Sequence, residues 1–377
     1  MLNFKYTNKT RAVICSALCL LYPFGVLAQS SSSEPLRFGW IGAMTGPGAK
    51  YGVYQAAQIA LEEINAAGGI NGRPLEIIFE DGKGEGKAAI DAANKLIYLD
   101  KVRYILGGNC SPETMPIAPI AEKNRIILFA SLTSNPKLSS AGDYIFRVTP
   151  VSTRNADILS EFAYHRAGKR KLAILAAQTD YVGPIADRLE KRFSELGGST
   201  VRENFISGET SFRTILTRIK AGKPDAVYVG TQEPDSAELI IKQMHELGMK
   251  MQIYGNESTG SIAATSSTPS LYDGLIFAQL AIDRESPKTR EFIEKYRKKF
   301  KVSDIPYVIT PEAYDTVKLL AEMVQQCGDD VEKVKACLYQ VRNYQGASGP
   351  LSIDEHGDGL REHALMIIKH GKPVRID

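Results

Sequence analysis

From Leu36 onward the chain alternates short apolar runs with stretches whose apolar residues recur every three to four positions. The runs at 36–41, 75–80, 104–106, 126–129, 172–175, 226–229 and 252–254 predict strands. Between them, the spacing predicts helices over 52–65, 86–99, 112–123, 152–167, 181–196, 212–221 and 234–247. Stops and starts agree: Gly68-Gly69, Gly197-Gly198 and Gly248 sit where helices end, and Pro112 and Pro234 where a first turn accepts proline. Such alternation gives an α/β fold of parallel sheets with helices on both faces. It runs twice, over 35–150 and 151–279, so two doubly wound lobes are expected. The remainder is less regular, with helices over 286–300, 311–326 and 331–342 and short strands near 349–353 and 363–369. This tail completes lobes already begun, 280–360 joining the first and 361–377 the second. No low-complexity linker separates the halves, which points to direct crossings and a cleft at the hinge.

The N-terminus changes the picture of where the protein works. Lys5, Lys9 and Arg11 precede an apolar run at 12–27 that ends in Val26-Leu27-Ala28. That run falls short of the ~20 residues a bilayer span needs, and Ala28 offers a peptidase cut, so residues 1–28 read as a cleaved export signal to the periplasm. An uncleaved anchor would need a stop-transfer pattern, and a lipid anchor a small residue before cysteine. Here Cys15 follows Ile14 and Cys19 follows Leu18. Cleavage removes three cations, so Lys+Arg falls from 46 to match the 43 acidic residues. Zero net charge gives no surface for nucleic acid or anionic membrane. The basic run at 295–301 reads as the solvated face of one helix. Of the cysteines left, Cys327 and Cys337 can close a short loop as a disulfide in an oxidising compartment, or remain thiols. Cys110 is left over as a small apolar group.

The glycine-rich segments fail as phosphate cradles. Residues 42–48 give G-x-x-x-G-x-G and 82–86 give G-x-G-x-G, neither with dinucleotide-binding spacing, and no G-x-x-x-x-G-K-[ST] occurs. There is no G-x-S-x-G or H-E-x-x-H, and His165, His245, His356, His363 and His370 lack ligand spacing, so surface or capping roles are their default. No enzyme, metal or cofactor is expected. Uncharged donors at helix starts remain. Ser111, Ser131 and Thr133 follow the third and fourth strands, where hydroxyls and helix N–H groups can converge on a carboxylate, or merely cap. Tyr181, Gln232 and Glu257 follow strands of the second lobe, and Glu257 can pair with an ammonium, or be a solvated loop acid.

With these residues in place, the chain resembles the type I periplasmic binding proteins of ABC importers, in the leucine/isoleucine/valine-binding branch. The resemblance rests on the segments at 41–52, 63–72, 104–111 and 349–358, in order and spacing, over nearly all of the exported chain. It implies two lobes joined by a three-stranded hinge, closing on a small solute that is delivered to an inner-membrane permease. It further implies that Ser111, Ser131 and Thr133 hold a ligand α-carboxylate, that Glu257 holds the α-ammonium, and that Tyr51, Tyr181 and Tyr307 form aromatic walls. Gln232 stands where related branched-chain binders place an aromatic, which argues against a purely aliphatic ligand. Cys110 matches half of a family disulfide whose partner position here is Lys83. The expected function is therefore capture of a small amino acid, branched-chain or related, by a monomeric binding protein. The rival readings are a binder of an aromatic or organic acid or amide, and a ligand sensor subunit.

Overall fold

The computed structural model describes residues 1–3 and 34–377. The expected export signal, apart from residues 1–3, lies outside the described residues. The first series comprises β1 (Leu36–Gly42), α1 (Val53–Ala66), β2 (Leu75–Asp81), α2 (Gly86–Asn94), β3 (Tyr104–Gly107), α3 (Ser111–Lys123), β4 (Ile127–Ala130) and β5 (Ile145–Arg147). Its strands form an all-parallel sheet in the order β2-β1-β3-β4-β5. The second series comprises α4 (Thr153–Glu161), β6 (Lys171–Ala177), α5 (Val182–Glu195), β7 (Ser199–Phe205), α6 (Arg213–Ala221), β8 (Ala226–Gly230), α7 (Pro234–Glu246) and β9 (Gln252–Gly255), then the short helices α8 (Glu257–Gly260) and α9 (Ile262–Thr265), and β10 (Ile276–Leu280). The tail holds α10 (Pro287–Phe300), α11 (Thr310–Cys327), α12 (Val331–Tyr339), β11 (Tyr344–Gly346), β12 (Gly349–Ile353), β13 (Gly359–Leu360), β14 (His363–Lys369) and β15 (Lys372–Arg375).

The second sheet runs β15-β14-β10-β9-β8-β6-β7, with β14 antiparallel to both of its neighbours, β10 and β15, and the remaining strands parallel. Each sheet is buried on both faces, which is why its strands read as unbroken apolar runs. Phe38, Trp40, Leu106 and Phe129 pack on the side of α1 and α11, while Ile41, Ile105 and Leu128 pack on the side of α2 and α3. In the second lobe Ile174, Leu175 and Val229 meet α4, α5 and α6, and Phe277 meets α7 and α9. The tail divides between the two cores. Val317, Leu320 and Ile353 lie in the core of β1, whereas Leu365 lies with β6 and β8.

Left-handed glycines end helices where the sequence suggested, with φ 98° at Gly68, 94° at Gly197 and 64° at Gly248. Two long helices change pitch before ending: α2 runs on as a π-turn at Lys95–Leu99 and α4 as another at Phe162–Arg166. The basic run on α10 is paired, with Lys295 2.6 Å from Glu63 and from Glu291 and Lys299 against Glu62. Cys327 and Cys337 form a disulfide across ten residues, tying the end of α11 to α12. No helix among the described residues is long and apolar enough to cross a membrane.

The chain passes between lobes three times, at 148–152, 281–286 and 361–362. The first and third crossings begin side by side. Buried Arg147 donates to Asp358 at 2.7 Å and to the Asn135 carbonyl at 2.7 Å, and the Arg147 N–H donates to the Gly357 carbonyl. Across the cleft, the Tyr51 hydroxyl donates to the Gln232 carbonyl at 3.1 Å, Asn135 Nδ2 donates to the Asp180 carbonyl at 2.5 Å, and Lys50 pairs with Asp235.

Candidate functional site

The loop after β3 turns sharply because Gly107 and Gly108 take φ 109° and 63°. A Cβ at Gly107 would lie 2.0 Å from the Ile41 carbonyl oxygen, so only glycine fits there. The turn delivers Asn109, Cys110 and Ser111 to the start of α3, the positive dipole end of the helix, where Pro112 has no N–H and the Glu113 and Thr114 N–H groups donate to the Cys110 carbonyl. In the second lobe, Asn256 fixes the loop after β9. Its side chain donates to the Thr231 carbonyl at 2.8 Å and accepts the Thr259 N–H at 3.2 Å, which leaves Glu257 projecting from the first residue of α8.

These residues meet around one cleft cavity. Five of the eight expected binding residues line it: Tyr51 and Ser111 from the first lobe, Tyr181, Gln232 and Glu257 from the second. Ser131, Thr133 and Tyr307 are not in its lining and stand directly behind it. Ser131 is fully buried, its N–H donating to the Gly107 carbonyl at 2.6 Å. Thr133 donates its hydroxyl to the Gly108 carbonyl at 2.8 Å and so holds the turn in shape. The Tyr307 ring rests on Tyr51 with centroids 4.7 Å apart. Cys110, free of a disulfide, sits in the wall with its thiol pKa pushed up by burial.

Four lining residues that the sequence reading passed over come from the hinge side. Ser152 and Asn155 open α4, Glu312 lies on α11, and His363 begins β14. His363 was expected at the surface or in a cap; it lies in the wall because β14 pairs with β10, which sets it opposite Leu280. Glu312 had a visible signal, being a carboxylate on the buried stripe with Ala313, Val317 and Leu320. The others stand in crossings that carry no strand-to-helix pattern.

Polar atoms buried without a partner are few in folded proteins. Here, among the described residues, they gather on this cavity: both side-chain polar atoms of Asn109, Ser111 Oγ, Ser152 Oγ, Asn155 Oδ1, Gln232 Oε1, Glu257 Oε1, Glu312 Oε2 and His363 Nδ1. Burial raises the Glu257 pKa to about 7, offset in part by the Leu280 N–H and by Arg361. Burial also raises Glu312, to about 8, although Arg361 donates to its Oε1 at 2.7 Å. Burial, with Arg154 and Arg361 nearby, lowers His363 to about 4, so it is neutral. Among the described residues no cluster of histidine, cysteine or acid side chains could hold a metal ion.

The family model for periplasmic binding proteins matches residues 35–372. A leucine-, isoleucine-, valine-, threonine- and alanine-binding protein of Pseudomonas aeruginosa is 27% identical over 339 residues, 89% of this chain and 90% of that one. Among solved structures, a leucine binding protein from Thermotoga maritima superposes with a TM-score of 0.82 at 26% identity, covering 91% of this chain and 98% of its own. A solute binding protein of an ABC transporter from Rhodopseudomonas palustris BisB5, in complex with 3,4-dihydroxybenzoic acid, shares the fold with a TM-score of 0.79 at 22% identity, over 91% and 96% of the two chains.

Proposed function

We infer that this chain, which belongs to the periplasmic binding protein family, captures a small α-amino acid in its cleft and presents it to an inner-membrane ABC permease. The family is one of ABC-transporter solute-binding proteins, so no bond is made or broken. The observation that carries the reading is the opposition of two unmatched groups in one cavity, Ser111 Oγ at the start of α3 and Glu257 Oε1 across from it. The carboxylate docks first on the first lobe, at the positive end of α3 and the Ser111 hydroxyl. Closure then brings Tyr181, Gln232 and Glu257 over the ligand, and the binding energy selects the closed arrangement. The export signal read at residues 1–28 supports the periplasm as the place of this work.

Glu257→Gln is the test. Replacing the carboxylate by an amide of the same shape removes the charge-assisted bond to the ammonium, and titration calorimetry should show amino-acid affinity falling on the order of 100-fold. Retention of full affinity would sink the assignment. A second reading, an amine-free organic acid, is favoured by the raised pKa of Glu257, because a protonated carboxyl can donate to a ligand oxygen. In that case Glu257→Gln keeps or improves binding of benzoate-type acids.

A further inference from the structure

The hinge-side wall of the cavity gathers polar side chains that lack a partner. Glu312 Oε2, Asn155 Oδ1 and His363 Nδ1 are buried there without a partner among the described residues, together with the Ser152 hydroxyl. Glu312 is 0% exposed, Asn155 4% and Ser152 2%, so none of them is served by bulk water. They share one neighbourhood. His363 pairs in register with Leu280, whose N–H is accepted by Glu257, and α4 packs on both β10 and β14. Arg361, two residues before His363, reaches Glu312 Oε1 and the Ser348 carbonyl, which locks the carboxylate and leaves its other oxygen facing the cavity.

Charge points the same way. The lining contains two carboxylates, Glu257 and Glu312, and not one lysine or arginine. Arg361, behind Glu312, balances one of them. A zwitterionic amino acid with an aliphatic side chain brings no net charge, so its own carboxylate would leave the closed cavity net negative or keep Glu312 protonated, with four buried polar atoms desolvated, a cost that binding sites exploit to reject ligands.

We propose that the solute is an amino acid whose side chain ends in a cation, an ammonium or guanidinium, received by Glu312, Asn155, His363 and Ser152 at the hinge-side wall. An ammonium brings three donors and a guanidinium five, which suits a wall of acceptors, and the extra charge neutralises the cavity. The acidity of the wall supports this, since burial has raised Glu312 far enough that a bound cation would displace its proton. The inference rests on the amino-acid reading above.

The test is titration calorimetry of the exported chain, unfolded and refolded to strip carried-over solute, with lysine, ornithine and arginine against leucine, isoleucine, valine, norleucine and glutamine, plus benzoate. Lysine or arginine should bind roughly 10- to 100-fold more tightly than norleucine and glutamine. Glu312→Gln should cost lysine more affinity than norleucine. Should the loss of Arg361's partner unfold that variant, Asn155→Leu gives the same comparison at a position with no ion pair to break. Equal or tighter binding of leucine, norleucine or glutamine overturns the inference and leaves the amino-acid reading standing. Binding of benzoate alone, or of none of the panel, overturns both. Lysine binding that neither variant weakens relative to norleucine overturns the inference as well.

Discussion

Glu257 and Glu312 make the cleft sensitive to pH, and the direction follows from which form each state prefers. With the cleft closed and empty, burial holds Glu257 at about 7 and Glu312 at about 8, while an ammonium beside either favours the carboxylate. Binding therefore expels protons, and affinity should climb between pH 6 and 8, by up to about tenfold per unit where one proton is released. Calorimetry in buffers of differing ionisation enthalpy counts those protons, and a flat profile would remove Glu257 from the ammonium site. The groups facing the pair are Arg361, the buried Asp315, neutral His363, Tyr181 and the Leu280 N–H. The same linkage governs the ligand-free fold. Both folded values lie above the unfolded one, so these carboxyls contribute stability below about pH 4.5 that is lost as pH rises through 7 to 8. Thermal shifts on ligand addition should accordingly grow from pH 5 to pH 8. Glu257 was legible in the sequence because it directly follows a strand, where parallel sheets place ligands. Glu312 showed only as a carboxylate on an apolar helix stripe, and His363 not at all, since an antiparallel strand start carries no such rule.

The elements themselves were legible where apolar runs are long and central. The seven strands assigned from the first two series lie within a residue or two of those observed, because burial on both faces leaves no polar alternation to confuse them. Three strands escaped notice for separate reasons. Ser199–Phe205 is an edge strand whose residues are mostly exposed or half-buried and polar, so it lacks the apolar signature. Ile145–Arg147 is too short to show a period, and Ile276–Leu280 stands amid irregular sequence. The α11–α12 staple was read from spacing and compartment alone. Replacing Cys327 and Cys337 together by serine should cost roughly 3 kcal/mol, the loop-closure entropy of a ten-residue ring, and lower the melting temperature by several degrees. Ligand affinity should change little, as the disulfide lies outside the cavity lining; an unchanged melting temperature would show that native contacts alone hold α12 on α11.

At the scale of the molecule, closure depends on a few contacts that span the cleft. Lys50 and Asp235 are both more than half exposed, so their pair contributes about 0–1 kcal/mol, whereas Asn135 is buried and donates directly to the Asp180 carbonyl. Asn135→Ala should open the lobes and weaken binding about five- to tenfold, with Lys50→Ala near unchanged; small-angle scattering with and without ligand reports the closure directly. The reverse order of effects would place the latch at the rim of the cleft. The split core carries a consequence for how the protein is made. Val317 and Ile353 complete a core that begins at Leu36, and Leu365 completes the one around Ile174. A chain threaded outward N-terminus first thus holds no finished lobe until its last stretch has left the ribosome. The topology that divides the tail between the two lobes also delays their formation, keeping the nascent chain unfolded until its last strands are made.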